Sequence, residues 1–183
     1  MSEHVFGLFH NPRLYDRMNR NHGFRRLYER AVNDVATSDL PAGARVLDVG
    51  TGPGRVPIAL SRRRPDLDIE GLDLSRQMIA YAREAAGQDS TVRFTVGDVA
   101  ALPHPDAGID LVITTMSQHH WRDPEAGMRE LSRVLREDGR LWVYDFRFFL
   151  GRAERAARAA FTRHTFHRAR VSPLAGRLTV APA

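Results

Sequence analysis

The 183-residue chain contains no cysteine and no lysine. Without cysteine there is no disulfide, no thiolate nucleophile and no thiolate zinc site; the histidines show no metal-ligand spacing either, so no metal is expected. All 27 basic side chains are arginine. That excludes Schiff-base chemistry on a lysine and the phosphate-binding lysine of a P-loop. A GC-rich coding sequence explains such a composition without any functional demand. Long apolar runs are missing too, so no segment reads as a membrane span. The opening MSEHVFGLFH carries Glu3 and lacks the basic-then-apolar layout of a secretory signal. The expected location is cytoplasmic.

What is present is an ordinary globular composition, 43% apolar and 27% charged, in a length suited to one domain. The net charge of +5 is uneven. From Arg147 onward there are eight arginines against one acid, Glu154, which leaves the first 146 residues slightly negative. Three regions follow: a helical lead-in over 1–43, a core over 44–146, and an arginine-rich helix and tail over 147–183.

In the lead-in, Leu14, Met18, Leu27, Tyr28, Ala31, Val32 and Val35 form a broken apolar stripe, with Gly23 expected to separate two helices. Strand and helix signals then alternate. Strands are expected at 45–49, 67–72, 91–96, 109–114 and 140–145, with helices at 56–63, from the cap Ser75 to Ala86, and from the cap Asp123 to Arg136. Asp138-Gly139 reads as the turn into strand five. This order predicts an α/β fold: a Rossmann-like parallel sheet of five strands, or six with the tail, and helices on both faces.

The most informative stretch is VLDVGTGPGR, residues 46–55. A strand ends at Asp48-Val49, and Gly50, Gly52 and Gly54 open a helix, with Thr51 between them. Glycines there let the backbone turn and approach a ligand closely. Strand two ends at Asp73, where a carboxylate can accept from both hydroxyls of a ribose. A nicotinamide site would share these features but usually reads G-x-G-x-x-G. Here the third glycine is one residue early, and an acid stands two positions before the first. That acid disfavours a pyrophosphate and suits the cationic side of a zwitterionic nucleoside such as S-adenosylmethionine.

With GLDLS at 71–75, GDVAALPHPDAGIDLV at 97–112, HHWRDPE at 119–125 and LREDGRLWVYDF at 135–146, the chain resembles the class I methyltransferases. It is most similar to the group that acts in menaquinone and ubiquinone biosynthesis. The resemblance covers residues 44–146. It implies an S-adenosylmethionine-dependent methyltransferase that acts on a small molecule and releases S-adenosylhomocysteine. By it, Asp48, Gly50, Thr51, Gly52 and Gly54 hold the methionine part and Asp73 the ribose. Leu74 and Met78 cover the adenine, Asp98 and Val99 meet its amino group, and Thr115 lines the sulfonium. Tyr15 matches an aromatic position near the cofactor, and with Phe6, Phe9 and Phe24 suggests a lid.

His119 and His120 are the candidate general bases at the mouth of such a site, although the pair can equally pack the loop before Asp123. Two other functions stay open: a non-catalytic binding protein and a nicotinamide-dependent oxidoreductase. The C-terminal arginines show no base-reading motif, so no nucleic-acid partner is expected. The family usually ends its sheet with an antiparallel strand pair, and the chain reads as too short to complete it. Strand five would then be an open edge, covered by the arginine-rich helix or by a second copy in a homodimer.

Overall fold

The computed structural model describes Pro12 and residues 22–183, with side chains from Arg25 onward. Phe6, Phe9, Tyr15 and the Phe24 side chain lie outside the described residues.

Helix α1 (His22–Ala36) leads into strand β1 (Arg45–Val49), helix α2 (Arg55–Arg63) and strand β2 (Asp68–Asp73). Helix α3 (Arg76–Ala86), β3 (Arg93–Val96), β4 (Ile109–Thr115), α4 (Pro124–Val134) and β5 (Leu135–Phe146) follow. The chain then forms α5 (Leu150–Ala160), β6 (His164–Arg170) and β7 (Ala175–Pro182). The sheet has seven strands in the order β3-β2-β1-β4-β5-β7-β6. Strands β1 to β5 run parallel, and β7 runs antiparallel to both β5 and β6.

Both faces of the sheet are covered, which is why its central strands are continuous apolar runs rather than alternating ones. Val46, Leu111, Ile113, Trp142 and Tyr144 point to the face that packs under α1, α2 and α3. Leu47, Val49, Val112, Leu141 and Val143 point to the other, under α4 and α5. Local signals set the helix ends. Ser75 Oγ accepts the Met78 N–H at the start of α3, and Gly87 closes that helix. Asp123 Oδ1 accepts the Ala126 N–H, and Pro124 opens α4, where a missing N–H costs nothing.

Gly23 lies in the first turn of α1, and the helix expected before it lies outside the described residues. Two expectations need correction. Asp138-Gly139 falls inside β5, at an irregularity where the register shifts between Ile109 and Leu111. Most importantly, the antiparallel pair is present. Residues 171–174 connect two strands of seven and eight residues, so 19 residues suffice for what seemed to need more room. β7 occupies the side of β5 away from β4. The edge that a homodimer or the arginine-rich helix was expected to cover therefore does not exist.

The arginine-rich helix lies instead across one face. Ala153, Ala156 and Ala157 of α5 are buried with Leu131, Leu178 and Val180, and its arginines face outward. Glu154 draws two of the surrounding cations, Arg158 and Arg168, together.

Candidate functional site

The sheet reverses direction of winding between β1 and β4, and open α/β sheets bind ligands beyond the strand ends at that point. The glycine turn stands there. Gly50, Gly52 and Gly54 have φ values of 69°, 54° and 77°, left-handed conformations that side chains with a Cβ resist. A Cβ at Gly50 would lie 1.8 Å from Ser117 Oγ, so the β1 turn and the segment after β4 are in direct contact. The Gly50 and Thr51 amides both donate to the Leu72 carbonyl of β2. The turn is thereby fixed against both neighbouring strands.

Two acids flank it. Asp48 is buried; its Oδ2 accepts from Thr51 Oγ1 at 2.7 Å, and its Oδ1 is buried with no partner among the described residues. Burial raises its carboxyl to about 7, the Thr51 hydrogen bond opposes that, and the charge of Asp73 adds to it. Asp73 is half-buried. It accepts the Gly52 N–H at 2.8 Å through one oxygen and the Ser75 N–H at 2.9 Å through the other. Burial raises its pKa as well, against the pull of those two amides. One carboxylate thus ties the glycine turn to the start of α3 and still has lone pairs to offer.

The other residues singled out by sequence take varied positions. Leu74 is 61% exposed just past β2, whereas Met78 is buried in α3. Asp98 is exposed and closes its own turn by accepting the Ala100 N–H. Val99 is half-buried beside it. Thr115 is buried at the end of β4, its hydroxyl without a partner among the described residues. Next comes Met116, at φ 55°, a strained conformation for a side chain of that size, held by its N–H to the Tyr144 carbonyl.

That kink leads into a short 3₁₀ turn, Gln118–His120. Two residues here escaped sequence reasoning. Gln118 is 1% exposed, and both of its amide atoms lack partners among the described residues. A bare buried amide costs about 1–3 kcal/mol, so such a group marks a place that expects a ligand or water. Asp145, at the end of β5, is fully buried and holds the His119 ring: Nδ1 lies 2.8 and 2.9 Å from its two oxygens. The legible signal for Asp145 was an acid inside an apolar strand, RLWVYDF; for Gln118 there was none. His120 is exposed, and loss of water around its ring, then the neighbouring His119, hold its pKa below the usual value.

This arrangement suits a ligand with a cationic end, hydroxyls and a flat base: a buried acid with a spare oxygen, a second acid on the glycine turn, and an exposed leucine. The sequence model of the methyltransferase domain family matches residues 47–143, just over half the chain. The chain belongs to that family. It is 38% identical over 135 residues to a demethylmenaquinone methyltransferase of Deinococcus radiodurans, across 72% of this chain and 55% of that one. It is 36% identical over 110 residues to the 27-O-demethylrifamycin SV methyltransferase of Amycolatopsis mediterranei, across 58% of this chain and 40% of that one. The chain therefore spans about half the length of the curated relatives it matches. Among solved structures, a SAM-dependent methyltransferase from Aquifex aeolicus superposes with a TM-score of 0.76 at 19% identity, covering 94% of this chain and 99% of that one. That likeness shows the same fold. Family membership sets the nicotinamide-dependent reading aside.

Proposed function

We propose that the protein binds S-adenosylmethionine at the turn between β1 and α2 and directs transfer of its methyl group to a small-molecule acceptor. The observation that carries this is the pair of acids around the glycine turn. Asp48 keeps a buried oxygen without a partner among the described residues, and Asp73 is fixed at the end of β2 by the turn itself.

The residues present fit such a molecule. Asp48 would face its cationic methionine end, with the Gly50, Gly52 and Gly54 backbone alongside and Thr51 orienting the acid. Asp73 would accept from the ribose hydroxyls, Leu74 would lie against the adenine, and Asp98 with Val99 would meet its amino group. Thr115 and Gln118 would line the side where the acceptor enters. When bound, S-adenosylmethionine supplies an electrophilic methyl group on a sulfonium, already activated for displacement. The protein's part is then to hold the two partners in line and keep water away. Relatives named for a quinone and for a rifamycin support a small-molecule acceptor.

The test is calorimetric titration with S-adenosylmethionine, S-adenosylhomocysteine and NAD, on the native protein and on Asp73→Ala and Asp73→Asn. The sulfur nucleosides should bind and NAD should not. Asp73→Ala should weaken binding by about 10- to 100-fold, the worth of one or two hydrogen bonds to a charged group. A folded protein that binds neither sulfur nucleoside would sink the proposal and leave the non-catalytic reading.

A further inference from the structure

We propose that Asp145 and His119 form a base dyad that takes the proton from the methyl acceptor, an inference that rests on the methyl-transfer reading above. Asp145 is buried at the end of β5, and its surroundings donate to it. His119 Nδ1 meets both oxygens, the Phe146 N–H reaches Oδ1 at 2.8 Å, and the His119 N–H approaches Oδ2 at 3.4 Å. A carboxylate on Nδ1 fixes the imidazole tautomer: the proton sits on Nδ1 and the lone pair on Nε2. The ring is also fixed in orientation. It stacks on Phe149 with centroids 4.7 Å apart and planes 2° from parallel, and His120 lies 3.9 Å away.

Nε2 carries no hydrogen bond among the described residues. It belongs to the turn that starts at Ser117, the residue pressed against Gly50. Beside it Phe148 is 71% exposed and stacks on Phe146, an aromatic surface open to a flat acceptor. The ionisable groups around the ring are Asp145 from β5 and His120 from its own turn. Arg147, next along from β5, turns its guanidinium to the Pro173 carbonyl. A loop anchor would need neither a fully buried carboxylate nor a nitrogen left open on the far side.

In the step this geometry allows, an acceptor O–H, N–H or acidic C–H gives its proton to Nε2. The electron pair left behind forms the bond to the methyl carbon as the carbon–sulfur bond breaks, and that bond's pair stays on sulfur. The imidazolium, paired with the Asp145 carboxylate, then returns its proton to water. The acceptor must therefore carry an ionisable hydrogen.

The test uses the full chain, Asp145→Asn and His119→Gln, with circular dichroism to confirm folding and calorimetry with S-adenosylmethionine. Absence of cofactor binding by the native protein would defeat the methyl-transfer reading itself. With binding intact, ¹⁵N NMR of the imidazole should show the Nδ1-protonated tautomer in the native protein and the other in Asp145→Asn. S-adenosylhomocysteine release with 1,4-naphthalenediol should fall at least 100-fold in both variants, cofactor affinity staying within about two-fold. If Asp145→Asn does not fold, His119→Gln, which keeps an amide donor for Asp145, decides alone. Unchanged rates in folded variants, or a native protein that binds cofactor and transfers nothing to the diol, would overturn the dyad.

Discussion

The Tyr144 hydroxyl donates to Asp34 Oδ2 at 2.9 Å, and Arg177 reaches the same oxygen at 2.6 Å. Helix α1, strand β5 and strand β7 thus meet on one carboxylate, with residues drawn from both ends of the described chain. Arg177 also lies over the Trp142 ring, 5.2 Å from its centroid. Tyr144→Phe leaves Asp34 bonded to Arg177 and Arg30, so it should cost about 1 kcal/mol. Asp34→Ala strands a mostly buried guanidinium and should cost about 3 kcal/mol. Urea unfolding of both variants measures the difference, and equal losses would refute this ranking.

Asp48 should make the free protein less stable as pH rises. Its carboxyl stands at about 7 in the fold, above its unfolded value, so folding favours the protonated form. That advantage is complete below about pH 4 and disappears as pH climbs through 7, a change on the order of a few kcal/mol. Asp48→Asn should flatten this part of the pH–stability curve and stabilise the free protein at pH 8, while weakening S-adenosylmethionine binding. Thermal melts from pH 4 to 8 decide it; parallel curves for the two proteins would show that Asp48 does not titrate in this range.

Gly50 and Gly87 separate strain from collision. Both have positive φ, 69° and 82°, but a Cβ at Gly87 meets nothing within 4 Å whereas one at Gly50 runs into Ser117. Gly87→Ala should cost about 1 kcal/mol, the left-handed penalty alone. Gly50→Ala should cost at least twice that, because the segment after β4 must move. A Gly50→Ala, Ser117→Gly double variant should recover the excess, as seen by denaturant midpoint.

Acid should loosen the loop that carries Asp98. Burial opposes a charge on Glu70, yet hydrogen bonds from His104 and Thr95 and the charges of His104 and Arg93 outweigh it and bring Glu70 to about 2. His104 Nε2 sits 3.3 Å away, tying the 97–108 segment to β2. A depressed carboxyl stabilises the fold above its unfolded pKa, so this contribution is present near neutrality and lost as pH falls from about 4.5 towards 2. Glu70→Gln should remove that acid-dependent part. Hydrogen exchange in 97–108, measured at pH 6 and pH 3, should differ less between native and variant at the lower pH than at the higher.

The parts of the fold that were readable in the sequence are those that local chemistry decides. Ser75, Gly87, Asp123 and Pro124 set helix ends within a few residues of themselves, and RVLDV is apolar enough to be a buried strand in any context. β6 was missed because HTFHRAR gives its neighbours little apolar surface. Phe166 packs inward under Arg158, and Arg168 is paired, among the described residues, with Glu154, 14 residues earlier. β7 was legible only as a possible sixth strand in the tail. Gly176 is required, since a Cβ there would lie 2.9 Å from the Ala169 carbonyl oxygen. At the site, the glycine turn and Asp73 follow from a motif, whereas the His119–Asp145 contact joins residues 26 apart. Only the pairing of β4 with β5 brings those two ends together.

β7 is the strand that connects β6 to the rest of the sheet: among the described residues β6 pairs with β7 alone, and of these two strands only β7 pairs with β5. β6 therefore cannot join the sheet strand by strand in chain order. The attachment of β6 to the sheet depends on β7, the strand that also carries Arg177 to Asp34. A lesion that displaces β7 would take two strands from the sheet at once.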